Sequence, residues 1–236
     1  MKGYDEARKF YGDCLRGDET AAVAFLGQLA GPGPALELGI GSGRIALPLA
    51  ARGIRVEGID ISPGTVAQMR TKPEGDKIPV TMGDFTDVRV EGRFRLIYVV
   101  WNTLFNLPSQ EAQTRCFENV AAHLADDGSF VVEAYVPTFL HRLRNDQYVD
   151  AEYIRIDEVR LDVLRHDPST QMLEESHVTL SAAGIRLGPV VQRYAWPSEL
   201  DLMARLAGLR LKDRWGGWHR EPFNADSAAH VSVFGR

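Results

Sequence analysis

"ALELGIGSGRIALPLA" spans residues 35–50 and decides how the rest of the chain is read. Gly39, Gly41 and Gly43 are separated by single residues and lie between an apolar run of strand character and an apolar run of helical character. Glycine lets a backbone turn tightly and lets a ligand approach it closely. The stretch therefore predicts a strand, a turn that a ligand approaches, and a helix. Pro48 lacks an N–H and fits only the first turn of that helix, which predicts a late helix start or a kink.

Working outward, "RVEGID" (55–60), "PVTMGD" (79–84), "FRLIYVVW" (94–101) and "SFVVEAYV" (129–136) are further short apolar runs separated by helical or loop stretches. That alternation predicts a parallel sheet covered on both faces. Before the first strand, "DETAAVAFLGQLAGPGP" predicts a helix capped by Asp18, with Val23, Leu26 and Leu29 inward and a stop at Gly31-Pro32. Ser109 caps a second predicted helix that carries Phe117, Val120, Ala121 and Leu124 on one face and ends at Asp127-Gly128. Residues 138–195 change character. Alternating apolar and polar runs joined by "DPST" and "SAAG" predict an antiparallel insertion of about three strands. A helical pattern returns at "WPSELDLMARLAG" (196–208), followed by "LRLKDRW" and, after a Gly-rich loop, a last strand "HVSVF".

Composition removes several classes of function. The 236 residues carry a net charge of −5, which denies the chain the positive field of a nucleic-acid binder. No run of apolar residues is long enough to span a bilayer, and the N-terminus has no apolar export segment, so a cytoplasmic protein is expected. Cys14 and Cys116 are the only cysteines, too few for a disulfide framework, a zinc site or a three-cysteine iron–sulfur cluster. The six histidines show no ligand spacing, and no metal is expected.

The run from Gly41 to Ala46 also satisfies GxGxxA, which suits a nicotinamide dinucleotide. Asp60 ends the second strand about twenty residues on, where a carboxylate can accept both hydroxyls of an adenosine ribose, whether in NAD or in S-adenosylmethionine (SAM). Three features separate the two. Glu37 precedes the loop as E-x-G-x-G-x-G, and a carboxylate there suits a ligand bearing an ammonium and no phosphate. Asp84 and Phe85 end the third strand, placed to take an adenine amino group and its ring. The last helix, strand, loop and strand can form the hairpin that closes a seven-stranded sheet.

These residues resemble the class I SAM-dependent methyltransferases. "ELGIGSG" looks like their first motif, "EGIDIS" their second-strand acid, "GDF" their adenine-side motif, and "LIYVVWN" the strand that leads to the substrate. The resemblance covers residues 31–136 and 196–236. It implies a doubly wound seven-stranded α/β sheet of order 3-2-1-4-5-7-6 with strand 7 antiparallel. It is nearer to small-molecule methyltransferases of bacterial secondary metabolism, including sugar N,N-dimethyltransferases, which share a tyrosine-containing lid like "YDEARKFYGDCLRG" and an insertion after strand 5. The implied domains are a lid (1–30), a Rossmann-like SAM-binding domain (31–137 and 196–236) and an insertion (138–195) that covers the acceptor or pairs two subunits.

The resemblance assigns Glu37, Gly39, Gly41, Asp60, Ile61, Asp84, Phe85, Trp101, Tyr11 and Arg16 to SAM, and Tyr4, Phe105, Tyr135 and Trp218 to the acceptor. Phe10, Trp215 and Phe223 join the aromatic set that suits a sulfonium by cation–π attraction. Candidate proton acceptors are His141 and Tyr11, with Glu133 and His219 behind them, while His123 is expected at the surface. "WNTLFNLP" lacks the N/D-P-P-Y/F of adenine or glutamine-amide methylation. The expected activity is methyl transfer by in-line displacement to nitrogen or oxygen of a small molecule. A nicotinamide oxidoreductase and a non-catalytic SAM-binding protein are the alternatives. Exposed edges of the insertion predict a homodimer.

Overall fold

The computed structural model describes residues 17–87 and 89–236. Tyr4, Phe10, Tyr11, Cys14 and Arg16, and with them most of the expected lid, lie outside the described residues. The chain runs α1 (Glu19–Ala30), β1 (Ala35–Leu38), α2 (Ala46–Ala51), β2 (Val56–Asp60), α3 (Pro63–Arg70), β3 (Val80–Met82), β4 (Phe94–Val99), α4 (Gln110–His123) and β5 (Leu124–Tyr135). It continues through β6 (Gln147–Ile154), β7 (Glu158–Asp167), β8 (Met172–Ser181), β9 (Gly184–Arg193), α5 (Pro197–Leu206), β10 (Arg210–Trp215) and β11 (Ala229–Gly235).

The main sheet has seven strands in the order β3-β2-β1-β4-β5-β11-β10. β11 runs antiparallel to both β5 and β10, as the expected order requires once β10 and β11 take the places of strands 6 and 7. Alternate side chains of β4 feed two cores. Leu96 and Tyr98, with Val100 just past the strand, join Val23, Leu26 and Leu49 beneath α1 and α2, whereas Ile97 and Val99 join Phe117, Phe130 and Phe234 beneath α4 and α5. α2 does start late: Leu47 N–H bonds Gly43 O at 3.0 Å, and Pro48 falls in the first turn. α1 follows Asp18, but that side chain makes no capping bond and instead lies 3.5 Å from Arg44 Nη1.

Three expectations about the elements are corrected. α4 is capped by Ser109, whose Oγ accepts from Ala112 N–H, but it ends at His123 and not at Asp127-Gly128. The reason is Leu124, fully buried and paired with Phe94; the ladder then jumps to Leu96 and Ser129, so 125–128 bulge between two paired positions. His123 is half-buried rather than at the surface, with Nδ1 2.8 Å from Asn119 O. The insertion forms four strands, in the separate order β6-β7-β8-β9. β6 and β7 read as one strand in sequence because residues 155–157 hold neither Gly nor Pro; their turn is closed by Arg155 N–H to Glu158 O at 2.8 Å.

Arg193 anchors this second sheet to the first. It is 5% exposed, and its guanidinium bonds Gln113 Oε1 of α4 at 2.7 Å, Glu199 Oε1 of α5 at 2.7 Å and Gln171 Oε1 at 3.0 Å. Gln113 returns a bond to Arg193 O at 2.7 Å. Every donor so satisfied offsets the desolvation that burying a guanidinium costs.

Candidate active site

β1 is buried along its whole length, and Glu37 within it is 3% exposed. Burial pushes its carboxyl up to about 8, against the Tyr98 hydrogen bond and the Arg44 charge, which pull it down; the nearby Asp60 charge raises it further. Tyr98 Oη donates to Glu37 Oε2 at 2.9 Å.

The chain then enters the glycine turn. Gly39 has φ +73°, and a Cβ there would stand 2.6 Å from Thr103 Cγ2. Gly41 has φ +56°, yet among the described residues a Cβ on it would meet nothing nearer than Gly39 O at 3.9 Å. Its backbone therefore needs glycine for conformation, while the space beside it stays open to a ligand. Asp60, 1% exposed at the end of β2, accepts Gly41 N–H at 2.7 Å and Ser62 N–H at 2.8 Å. The carboxylate thus locks the turn of β1 to the start of α3, a role the spacing alone did not reveal.

Next to it, Ile61 is 49% exposed. Asp84 is exposed, and its Oδ1 accepts from Thr86 N–H at 2.9 Å and Thr86 Oγ1 at 2.8 Å. The half-buried Phe85 ring lies beside Gly39, with Cε1 3.9 Å from the Cβ position there. Asp60, Ile61, Asp84 and Phe85 are thus brought to the same edge of the sheet as the glycine turn.

β4 ends in two residues with left-handed backbones, Trp101 and Asn102, both at φ 56°. Non-glycine residues pay about 1–2 kcal/mol for this conformation, and neighbouring groups hold it in place. Glu133 Oε2 accepts Trp101 N–H at 2.7 Å and Glu133 O accepts Asn102 N–H at 3.2 Å. Asn102 Oδ1 in turn accepts Tyr135 N–H at 2.7 Å. The Arg44 guanidinium lies 4.8 Å over the Trp101 ring and 3.0 Å from Glu19 Oε1. Glu133, considered above as a base, here splints the β4 turn. Arg44, Asn102 and Thr103 were missed in sequence; the asparagine after Trp101, a residue that tolerates the left-handed region, was the available signal.

The acceptor-side expectations divide. Tyr135 is half-buried at the end of β5, in edge contact with Phe105 at 5.0 Å and Phe139 at 5.7 Å. Phe105 itself is 0% exposed, so it backs Tyr135 and is corrected from a pocket residue to a core one. Trp218 is corrected likewise: it packs edge-on against Phe25 at 5.5 Å in the core beneath α1, where the indole fills space between helix and sheet. Trp215 packs against the same core, and Phe223 lies 6.4 Å from the buried His230 ring. His219 is exposed near Glu221, and His141 is exposed on the short helix Pro137–Arg142.

The donor set fits SAM. A buried carboxylate held largely unionised is one that a ligand ammonium would ionise, and it sits beside an open glycine turn. Apolar surface for a base stands next to it in Ile61 and Phe85.

The chain is similar to known methyltransferases. Residues 35–128 match a family described as the methyltransferase domain. Among solved structures, the CcbJ methyltransferase of Streptomyces caelestis is 37% identical over 92% of this chain and 89% of its own, with a TM-score of 0.87. The SAM-bound amino pentose methyltransferase of Micromonospora echinaspora shares the fold at a TM-score of 0.71 and 20% identity, covering 99% of this chain and 96% of its own. A cypemycin N-terminal methyltransferase of a Streptomyces species is 25% identical over 85% of this chain and 82% of its own.

Proposed function

The chain belongs to the SAM-dependent methyltransferases, and on that premise we propose which of its residues hold the cofactor and the acceptor. It methylates small molecules at nitrogen or oxygen, and the oxidoreductase and non-catalytic alternatives are set aside. Bound SAM supplies a sulfonium methyl that the acceptor displaces in line.

Glu37 pairs with the ammonium of the methionine portion, and the backbone of Gly39 and Gly41 lies along it. Asp60 and Ile61 take the ribose, Asp84 and Phe85 the adenine, and Trp101, fixed by Arg44, walls the transfer site. From the sequence resemblance, Arg16 and Tyr11 are assigned to the cofactor and Tyr4 to the acceptor, while Tyr135 of β5 borders the acceptor. These residues orient two reactants and keep water from them, which is most of what a displacement requires. His141 and Tyr11 are the proton acceptors to test by substitution. The observation that carries this reading is the buried carboxyl of Glu37 beside the open turn at Gly41.

Calorimetric titration with S-adenosylhomocysteine, with NAD(P)H as control, tests it. Micromolar binding of the first alone is expected, weakened by substitution at Glu37; nicotinamide binding would overturn it.

Of the two roles considered for the insertion, acceptor cover or subunit pairing, its aliphatic outer face supports pairing: Val149, Ile185, Leu187 and Val191 are 64%, 71%, 61% and 51% exposed. Val149 pairs Val163, and Val178 pairs Leu187, so these side chains form adjacent rows on one face. An apolar sheet face of this extent suits an isologous contact with a second copy. No described helix is long and apolar enough to cross a membrane.

A further inference from the structure

The inner face of the inserted sheet carries titratable groups that the cofactor site does not use. β7 and β8 pair Asp162 with His177, Leu164 with Glu175, and His166 with Leu173, so these side chains share one face. Leu164 and Leu173 lie in the same core layer as Phe105 and Leu107, which turns the face toward the carboxyl edge of the main sheet. Farther along the two strands the face becomes polar. His177 Nδ1 lies 2.5 Å from Asp162 Oδ1, and His177 Nε2 lies 3.8 Å from Glu175 Oε1. Glu152 of β6 adds a third carboxylate beside Asp162 and His177, and Arg160 pairs with it at 2.6 Å.

This patch borders the transfer site through Tyr135. Tyr135 Oη donates to Gln192 Oε1 of β9 at 3.3 Å, and Gln192 donates to Asn106 Oδ1 at 3.3 Å, just beyond the strained turn after β4. The Glu175 charge is near enough to raise the Tyr135 phenol, after burial, which raises it most. Burial, then the Asp162 and Glu152 charges, push Glu175 itself up to about 7. Glu152 already has its arginine. Among the described residues, Glu175 has no Lys or Arg partner.

We propose that this inner face receives the acceptor, that the acceptor is a small molecule bearing a basic amine, and that Glu175 pairs with its ammonium and takes its proton. The proposal rests on the methyltransferase reading and chooses nitrogen over oxygen within it. An ammonium has no lone pair to attack with. When one N–H bond breaks, the proton goes to the Glu175 carboxylate and the electron pair stays on nitrogen, ready for the displacement. A hydroxyl gains nothing comparable, because neighbouring carboxylates oppose the negative charge that would develop on its oxygen.

The test is nuclear magnetic resonance of histidine-labelled protein saturated with S-adenosylhomocysteine, the His177 signal being assigned with His177→Gln. Benzylammonium chloride and benzyl alcohol are titrated separately at neutral pH. Benzylammonium is expected to shift the His177 signal at a concentration about tenfold lower than the alcohol, a preference of about 1.4 kcal/mol. Glu175→Gln should abolish that preference with calorimetric affinity for S-adenosylhomocysteine unchanged; Asp162→Asn serves if that variant does not fold. No preference in the wild type, or a preference that survives Glu175→Gln, overturns the proposal. Failure of the wild type to bind S-adenosylhomocysteine is a different result and counts against the cofactor reading instead.

Discussion

Tyr98 and Glu37 share a hydrogen bond of 2.9 Å across neighbouring strands β4 and β1, and both side chains are buried. The bond keeps Glu37 pointed into the site, yet burial still leaves the carboxyl easier to protonate than an ordinary one. Because its folded value is raised to about 8 from 4.5, the stability it contributes is present below pH 4.5 and is lost as pH rises toward 8.

Glu37→Gln should therefore raise the melting temperature of the ligand-free protein at pH 8 and weaken S-adenosylhomocysteine binding by about tenfold or more. In the wild type, binding at neutral pH should release a proton, visible as a dependence of the calorimetric heat on buffer ionisation enthalpy. An unchanged affinity in Glu37→Gln would remove the residue from the cofactor site.

Gly39→Ala and Gly41→Ala should separate folding from binding. The first combines a positive φ with a contact of 2.6 Å to Thr103 and should lower stability by several kcal/mol or prevent folding. The second would meet no described residue nearer than 3.9 Å and should cost only about 1–2 kcal/mol, so it should fold while binding S-adenosylhomocysteine poorly. Equal melting temperatures for the two variants would contradict this.

Arg193→Ala removes the guanidinium that joins the inserted sheet to α4 and α5 and leaves Glu199 and Gln113 without it. A loss of about 3–5 kcal/mol is expected in urea unfolding. Burial raises the Glu199 carboxyl, but the bonds from Arg193, Gln171 and Gln110 outweigh it and hold the group below its usual range. The stability this gives is present above the unfolded value and declines as pH falls through the folded one, so acid should narrow the gap between wild type and variant.

Leu187→Glu places a charge in the middle of the outer aliphatic face, where Leu187 is 61% exposed. Light scattering should show the wild type as a dimer and this variant as a monomer, with S-adenosylhomocysteine affinity retained. A monomeric wild type at micromolar concentration would end the pairing proposal.

The nucleotide-binding half of the fold was legible because its signals are local. Strand runs, a glycine turn and the acids at strand ends each fall within a few residues of one another, and strand order followed from the resemblance. The rest depends on partners far apart in sequence. Nothing in "VVEAY" says that Glu133 will hold Trp101 N–H, 32 residues away. The residue type of Phe105 and Trp218 suits a sulfonium, but the same rings fill cores equally well, and only packing distinguishes the two. The turn at 155–157 carries no breaker residue, so the sequence of β6 and β7 has the pattern of a single strand.

In β7 the neighbours Asp162 and Val163 point to opposite sides of the inserted sheet, one toward the carboxylates and the other toward the aliphatic rows. Side chains alternate with a period of two, so loss of one residue inside that strand would exchange its two surfaces from that point onward. The length of β7 is therefore under a constraint separate from the one its individual side chains carry. Homologues of different length should carry their extra residues in the turns near 168–171 and 182–183, where parity has no consequence.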